Sequence, residues 1–416
     1  MRGGTERFGW RRPSRFTSGL GAVAALGALI RVAWIERADF RPGGLIVDET
    51  YYHRVANFVA DGMGFISPAA FDAGHVLPSA EKPPLYPLLL ALQSKLGFSS
   101  FHAHRLLGVL LGAATIVLIG LVARRVGGPR AGLIAAALVA LNPVLWKWDS
   151  HVLTETLYAP LLALVLLATY RARERPTLGR AAALGGAIGL AALTRPEALT
   201  YLALLGLLLL VWGRRRAWRP VLAMAAVAAV VMTPWVVRNW DAFGRPLISN
   251  QSAETIAGAN CPTTYRGIGI GFWDVTCIRP IGTVTQNEAD RARAQRETGI
   301  RYAKDQVGRL PLVVLARVGR TWGFFRPIAT RTDEIVAWLL LVLAIPGVVI
   351  LRRRRVSVAI LLLPALAVTI TSAISFGWLR FRFGADLAFT VLAAVTVEAA
   401  LAFVSARASP RPRTGP

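Results

Sequence analysis

The chain has 416 residues, 54% of them hydrophobic, a mean hydropathy of +0.49 and a formal net charge of +25. So much apolar side chain at this length excludes an ordinary soluble globular protein. The apolarity comes in blocks of about 20 residues, enough for a helix to cross a hydrocarbon core of roughly 30 Å. This predicts an all-α polytopic membrane protein, since a spanning backbone must satisfy its own hydrogen bonds.

In chain order, about ten transmembrane helices are predicted at 18–36, 105–123, 131–147, 154–170, 181–196, 198–213, 220–237, 333–351, 356–375 and 385–404. With the N-terminus cytoplasmic, the inner segments are 1–17, 124–130, 171–180, 214–219, 352–355 and 405–416. They hold 23 Lys/Arg against two acids, Glu6 and Glu174, a net +21. The outer segments and span ends hold the other 25 Lys/Arg against 20 acids, a net +5, with Glu398 inside the last span. This is the asymmetry of the positive-inside rule, and it puts both termini in the cytoplasm of a plasma-membrane protein. The basic balance is then topology, helped by anionic inner-leaflet lipid, and no nucleic-acid partner is expected. The first span follows Arg11, Arg12 and Arg15 and shows no small-residue cleavage site around Arg31 to Arg37. It reads as a retained anchor rather than a signal peptide.

The predicted organisation is a basic tail (1–17), a membrane module (18–237) with a large first outer loop (37–104), a second outer region (238–332), closing helices (333–404) and a tail (405–416). Only the two outer regions have enough polar chain to build a site. In the first loop a helix should begin at Asp48, since Tyr52, Val55, Ala56 and Val59 follow at i, i+3, i+4 and i+7. That face could lie along the membrane surface. Gly62 and Gly64 end it. Pro84 and Pro87 open a second apolar piece, Leu85 to Leu92, too short to span and stopped by Lys95 and Gly97. In the second outer region Gly267, Gly269 and Gly271 mark turns, followed by a charged helical stretch from about Asn287 to Gln306.

The polar residues of the first loop carry the chemical signal. Asp48 and Glu49 stand at a helix start, where Asp48 can cap the backbone and where an ionised carboxylate is favoured. An ionised carboxylate is also what a base needs before it takes a proton from a hydroxyl. Lys82 is one of four lysines against 44 arginines. Its compact ammonium suits a phosphate, although an interfacial lysine can also simply snorkel. Glu81 beside it could pair with it or ligate a cation. Arg238, Arg380 and Arg382, at outer span ends, are further candidates for a phosphate. Asp149 and Glu155 flank the short turn between spans three and four, as interface polarity or as a second site carboxylate. The run Trp378-Leu379-Arg380-Phe381-Arg382-Phe383, followed by Asp386, reads either as an aromatic belt with anchoring arginines or as a phosphate grip.

The only two cysteines, Cys261 and Cys277, both lie in the second outer region. On an oxidising face they are expected to form a disulfide worth ~3 kcal/mol in the chain-entropy picture. They lack the paired histidines of a zinc site. The sequence has no Asp-x-Asp pair for a nucleotide sugar's metal and no Gly-rich loop between a strand and a helix. No tightly bound metal or cofactor is expected, which leaves open a labile divalent cation at Glu81 or Asp48.

Asp48-Glu49-Thr50-Tyr51-Tyr52 after the first span, Glu81-Lys82-Pro83-Pro84-Leu85-Tyr86, the basic turn Ala123-Arg124-Arg125 and Thr154-Glu155 together resemble the glycosyltransferase family 39 pattern. That family sits among the C-type membrane glycosyltransferases and includes the protein O-mannosyltransferases and the lipid A aminoarabinose transferase. The likeness runs in order over about residues 18–215, and beyond that only the layout is similar. It implies the C-type architecture and a sugar donor carried on a polyprenyl phosphate. It also implies an inverting displacement at the outer face on a protein, lipid or cell-wall glycan acceptor. Asp48 matches the base, with Glu49 in support, and Lys82 matches the phosphate-contacting lysine of the aminoarabinose branch, with Glu81 before it. The protein O-mannosyltransferases have His in place of Glu-Lys there. Arg195-Pro196-Glu197 and Glu155 also recur in position, without an assigned role.

Two other classes remain open at the level of sequence. A transporter or flippase of envelope precursors would place charges and broken helices near the midplane, often in two related halves. A non-catalytic envelope-assembly partner would keep the fold and not use the base.

Overall fold

A computed structural model describes residues 14–37, 47–213, 218–283 and 286–408. These residues form α1 (Arg15–Arg37), α2 (Val47–Ala60), α3 (Pro68–Asp72), α4 (Leu85–Lys95), α5 (Phe101–Leu141), α6 (Pro143–Asp149), α7 (Thr154–Glu174), α8 (Leu178–Ala192) and α9 (Leu199–Gly213). They continue with α10 (Trp218–Phe243), α11 (Gln251–Ala259), α12 (Pro262–Tyr265), α13 (Glu288–Asp305), α14 (Leu310–Trp322), α15 (Arg331–Arg353), α16 (Ala359–Ile374) and α17 (Phe383–Ala408). The protein is all-α and membrane-spanning. Among the described residues, the only β pairing is a single bridge between Ile66 and Pro78.

Every predicted span is helical, but the count of ten is not reproduced. Six helical segments are long and apolar enough to cross a bilayer, or seven if α6 and α7, bent by 120°, form one broken span. One reason is α5, whose 41 residues cover two predicted spans. Gly128 takes φ +90°, where a side chain would be strained, so the helix turns back on itself there before Pro129. The arms touch backbone to side: a Cβ on Gly132 would lie 2.8 Å from the carbonyl oxygen of Gly120. The other reason is length. Helices α8 and α16 have 15 and 16 residues, about 24 Å or less at 1.5 Å per residue.

Small residues let the helices approach. Gly27 of α1 sits between Ile116 and Ala140, one on each arm of α5, and Gly185 of α8 lies against the backbone of Met224 on α10. The main core gathers α5, α7, α8, α16 and α17 around Ile119, Ala135, Leu162, Leu184 and Val391.

The first-loop predictions hold in outline. Helix α2 starts at Val47 and is followed by Gly62 and Gly64 with positive φ. Helix α4 runs Leu85–Lys95 and gives way to Gly97, again with positive φ. The face expected to lie on the membrane surface is instead buried in protein. Tyr52, Val55 and Ala56 pack against Tyr86, Leu90 and Ala91 of α4 and against Val152, Leu153 and Leu157. Helix α13 matches the predicted charged stretch, with Asn287 accepting from the backbone of Ala289 as its cap. Cys261 and Cys277 are bonded.

Candidate active site

A cavity of about 340 Å³ opens where α2, α7, α11, α16 and the loop 194–197 meet. Its wall includes Asp48 and Tyr52 of α2, Glu155 and Tyr158 of α7, Arg195 and Glu197 of the loop, and Arg380 of the turn Leu379–Arg382. Down α16 it is lined by Ala367, Val368, Thr371 and Ile374, at i, i+1, i+4 and i+7 on one helix face. One end of the cavity is therefore charged and the other is largely apolar.

Asp48 is carried into the wall by the first turn of α2, which the buried Tyr52-Val55-Ala56 face fixes against α4. Its Oδ1 accepts from the Lys82 ammonium at 2.9 Å, and the same nitrogen stands 3.5 Å from Glu81 Oε1. Lys82 is 5% exposed at the side chain. It belongs to an extended strap that neighbouring chain holds residue by residue. Arg238 donates to the carbonyls of Ser79 (2.8 Å) and Phe65 (2.8 Å). Asn250 N–H donates to Ala80 O at 2.9 Å, and Gln251 N–H and the Ser249 hydroxyl donate to Glu81 O at 3.1 and 2.5 Å. Glu288 accepts from Ala80 N–H (3.0 Å) and from the Asn250 amide (2.7 Å). Leu85 N–H, after the two prolines that donate nothing, reaches Leu193 O at 2.9 Å.

The charges set one another. The Lys82 ammonium holds the Asp48 carboxyl below its ordinary range; burial opposes this, and Arg380 adds to it. Burial alone would weaken the Lys82 ammonium, but Asp48 and Glu81 outweigh it and keep its pKa well above the usual value. Burial pushes Glu81 up to about 7; Lys82 pulls it down in part, and Glu254 and Glu288 add to the rise.

Across the cavity, Glu155 Oε1 accepts from Arg380 Nε at 2.5 Å and from Arg195 Nη1 at 2.7 Å. Arg195 also pairs with Glu197. The terminal nitrogens of Arg380 have no hydrogen-bond partner among the described residues, while its plane lies over Trp148 (4.9 Å) and Trp378 (5.4 Å). A guanidinium gripped through Nε with its outer fork free is the form that takes an oxyanion.

Of the residues predicted from sequence, Asp48, Glu155, Arg195, Glu197 and Arg380 come together in the cavity wall, with Lys82 and Glu81 directly behind Asp48. The others lie elsewhere. Glu49 turns to His151 Nδ1 (2.9 Å) and the Val152 N–H (2.9 Å), fixing α2 to the turn before α7. Asp149 pairs with Arg31 at 2.7 Å between α1 and α6. Arg382 is fully buried and pairs with Asp386 at 2.8 Å. Arg238 serves the strap. Sequence reading missed Asn250, Glu288 and the cavity-lining face of α11. Glu288 lay inside a stretch read only as a charged helix, and nothing local marks it as 5% exposed.

Among the described residues no three His, Cys, Asp or Glu side chains gather as a metal site would require. The Lys82 ammonium occupies the space between Asp48 and Glu81 that a labile cation would take. The residues therefore do not fit a resident metal, and no step is derived through one.

Residues 81–238 match the family model described as dolichyl-phosphate-mannose-protein mannosyltransferase. No curated protein matches the chain. The fold matches the archaeal oligosaccharyltransferase AglB of Archaeoglobus fulgidus, in complex with an inhibitory peptide and a dolichol phosphate. The TM-score is 0.59 at 16% identity, over 98% of this chain and 53% of that one. A second structure of the Archaeoglobus fulgidus oligosaccharyltransferase, with zinc and sulfate, gives 0.56 at 15% identity over 94% and 50%. ArnT from Cupriavidus metallidurans, bound to undecaprenyl phosphate, aligns over 95% of this chain and 81% of its own with a TM-score of 0.44 at 14% identity, too loose a match to build on. The chain spans about half the length of the oligosaccharyltransferase that it matches. The fold is that of the matched half of the Archaeoglobus fulgidus oligosaccharyltransferase, and the resemblance to family 39 read from the motifs is supported by the family match over residues 81–238.

Proposed function

We propose that this protein is a membrane glycosyltransferase that moves a sugar from a polyprenyl phosphate to an acceptor hydroxyl on the extracytoplasmic face. The observation that carries the reading is the cavity: a paired Asp48–Lys82 on one side, a free guanidinium fork at Arg380 on the other, and an apolar face of α16 leading away. A lipid phosphate has matching parts. Its isoprenoid chain suits the α16 face, its phosphate suits Arg380 and Lys82, and its sugar falls beside Asp48. The family match over residues 81–238 supports the donor class. The oligosaccharyltransferase structure that holds a dolichol phosphate and a peptide supports a polyprenyl carrier and admits a protein acceptor.

In the reaction the acceptor oxygen attacks the anomeric carbon from the face opposite the phosphate, and the configuration inverts. The carbon–oxygen bond to the phosphate breaks with its electron pair leaving on that oxygen, and the acceptor proton passes to Asp48. Lys82 links the two events. While it pairs with Asp48 the carboxylate is a weak base. When the donor phosphate draws the ammonium away, Asp48 loses its partner and becomes a stronger one. Arg380 and Lys82 then stabilise the charge that develops on the leaving phosphate, an effect worth a few kcal/mol. The excess of Arg in the predicted inner segments supports a cavity on the outer side, with both termini cytoplasmic.

The test is transfer by purified protein given a panel of radiolabelled polyprenyl-phosphate sugars and a membrane extract as acceptor. Transfer from one donor names the sugar. Silence across the panel from folded protein overturns the reading in favour of a transporter or a non-catalytic envelope-assembly partner.

A further inference from the structure

The charged groups of the cavity are matched among themselves: Asp48 with Lys82, Glu155 with Arg380 and Arg195, and Glu197 with Arg195. The wall made by α11 differs. Gln251, Ser252 and Thr255 stand at i, i+1 and i+4 on the helix face that lines the cavity. Among the described residues none of their side chains has a hydrogen-bond partner, whereas Ser249 just before them is used on the strap. Nor do Ser252 and Thr255 turn back to their own helix carbonyls, as the Thr194 hydroxyl of this wall does to Leu190 O at 3.0 Å. Three neutral donor–acceptor groups left open on one face are the chemistry of a polyhydroxylated ring, whereas a phosphate is better served by the charged groups at Arg380 and Lys82.

The wall is also held in place. Asn250 and Gln251 donate their backbone N–H groups to the strap at Ala80 and Glu81, and Glu288 bridges Ala80 to the Asn250 side chain. Behind α11, Arg317 donates to Ala259 O (2.7 Å) and Asn260 Oδ1 (2.9 Å), while the Cys261–Cys277 bond closes the following turn. A helix fixed at both ends can discriminate, because its side chains do not drift to suit a poorer ligand.

We propose that the face Gln251-Ser252-Thr255 reads the hydroxyls of the donor's sugar and sets which sugar is accepted. This rests on the lipid-phosphate reading above and adds the orientation of the donor: phosphate toward Arg380, ring toward α11.

The test measures binding of two probes, a polyprenyl phosphate without sugar and the same lipid carrying the sugar, to wild type and to Gln251→Leu, Ser252→Ala and Thr255→Val. A neutral hydrogen bond to a ligand hydroxyl is worth about tenfold. Each substitution at a contacting position is expected to weaken the sugar-charged lipid about tenfold and to leave the sugar-free lipid unchanged. A donor lacking the matching hydroxyl should bind wild type and that variant equally. Equal weakening of both lipids, or of neither, in all three variants overturns the proposal. Hydroxyl-dependent binding without any transfer would retain this inference and sink the transferase reading, so the two fail separately.

Discussion

Arg380 and Arg382 lie two residues apart on one helical turn, and they divide the molecule into two kinds of charged environment. Arg380 reaches into the cavity, held only through Nε by Glu155, with its outer nitrogens free. Arg382 points into the helix packing, where Asp386 and the carbonyls of Ala337 and Trp322 take its donors and no part of its side chain meets solvent. The same residue type thus serves two ends. Where each of the three nitrogens is bonded the arginine ties α15, α17 and the turn together, and where nitrogens are spare it is available to a ligand.

The sharpest way to break this contrast is to exchange the phenotypes. Arg382→Ala leaves the part-buried Asp386 without its partner and removes a fully buried side chain, which should cost about 3 kcal/mol of stability, seen as a fall in thermal midpoint in detergent. Arg380→Ala should lower transfer by about 10² to 10³ and weaken lipid-phosphate binding, with a smaller fall in midpoint because Arg195 still pairs with the buried Glu155, and Arg380→Lys should recover part of the loss. If Arg380→Ala unfolds the protein and Arg382→Ala only slows it, the division is wrong.

The disulfide sharpens the contrast on the stability side. Replacing Cys261 and Cys277 together by alanine should cost about 3 kcal/mol, with slower proteolysis of wild type than of the variant at the 260–280 turn. Sugar transfer should largely persist. The smallest effect concerns Glu81, whose carboxyl burial pushes up from 4.5 to about 7. The folded state holds this proton more tightly than the unfolded chain. The contribution is therefore complete below about pH 4.5 and lost as pH rises through about 7. The thermal midpoint of wild type relative to Glu81→Gln should fall across that window, and a difference independent of pH would contradict the assignment.

Much of this site was legible because its chemistry is concentrated in short, unusual runs. A rare lysine in an arginine-rich chain, set between an acid and two prolines, marks Lys82. An acidic pair at the start of an amphipathic helix marks Asp48, and a charged Asn287-to-Gln306 stretch marks α13 with its cap. What the sequence could not give was orientation. Nothing in Trp378 to Phe383 says that one arginine faces a cavity and the next an aspartate one turn along. Likewise Asp149 and Glu155 look alike on either side of a turn, yet Arg31 takes the first and the cavity takes the second. Glu288 joins Ala80 across 208 positions of sequence, a contact no local pattern encodes. The amphipathic face of α2 had two possible partners, lipid or protein, and its periodicity is the same for both. The predicted count of ten and the count by helix length differ where length and continuity part company, at Gly128 and in the short α8 and α16.

The account turns on Asp48 as the base. The most direct measurement is the transfer rate of Asp48→Asn beside wild type, with lipid-phosphate binding measured on the same preparations. With Asp48 as the base, binding is retained and transfer falls by 10² or more. Transfer at the wild-type rate in the variant would contradict that role.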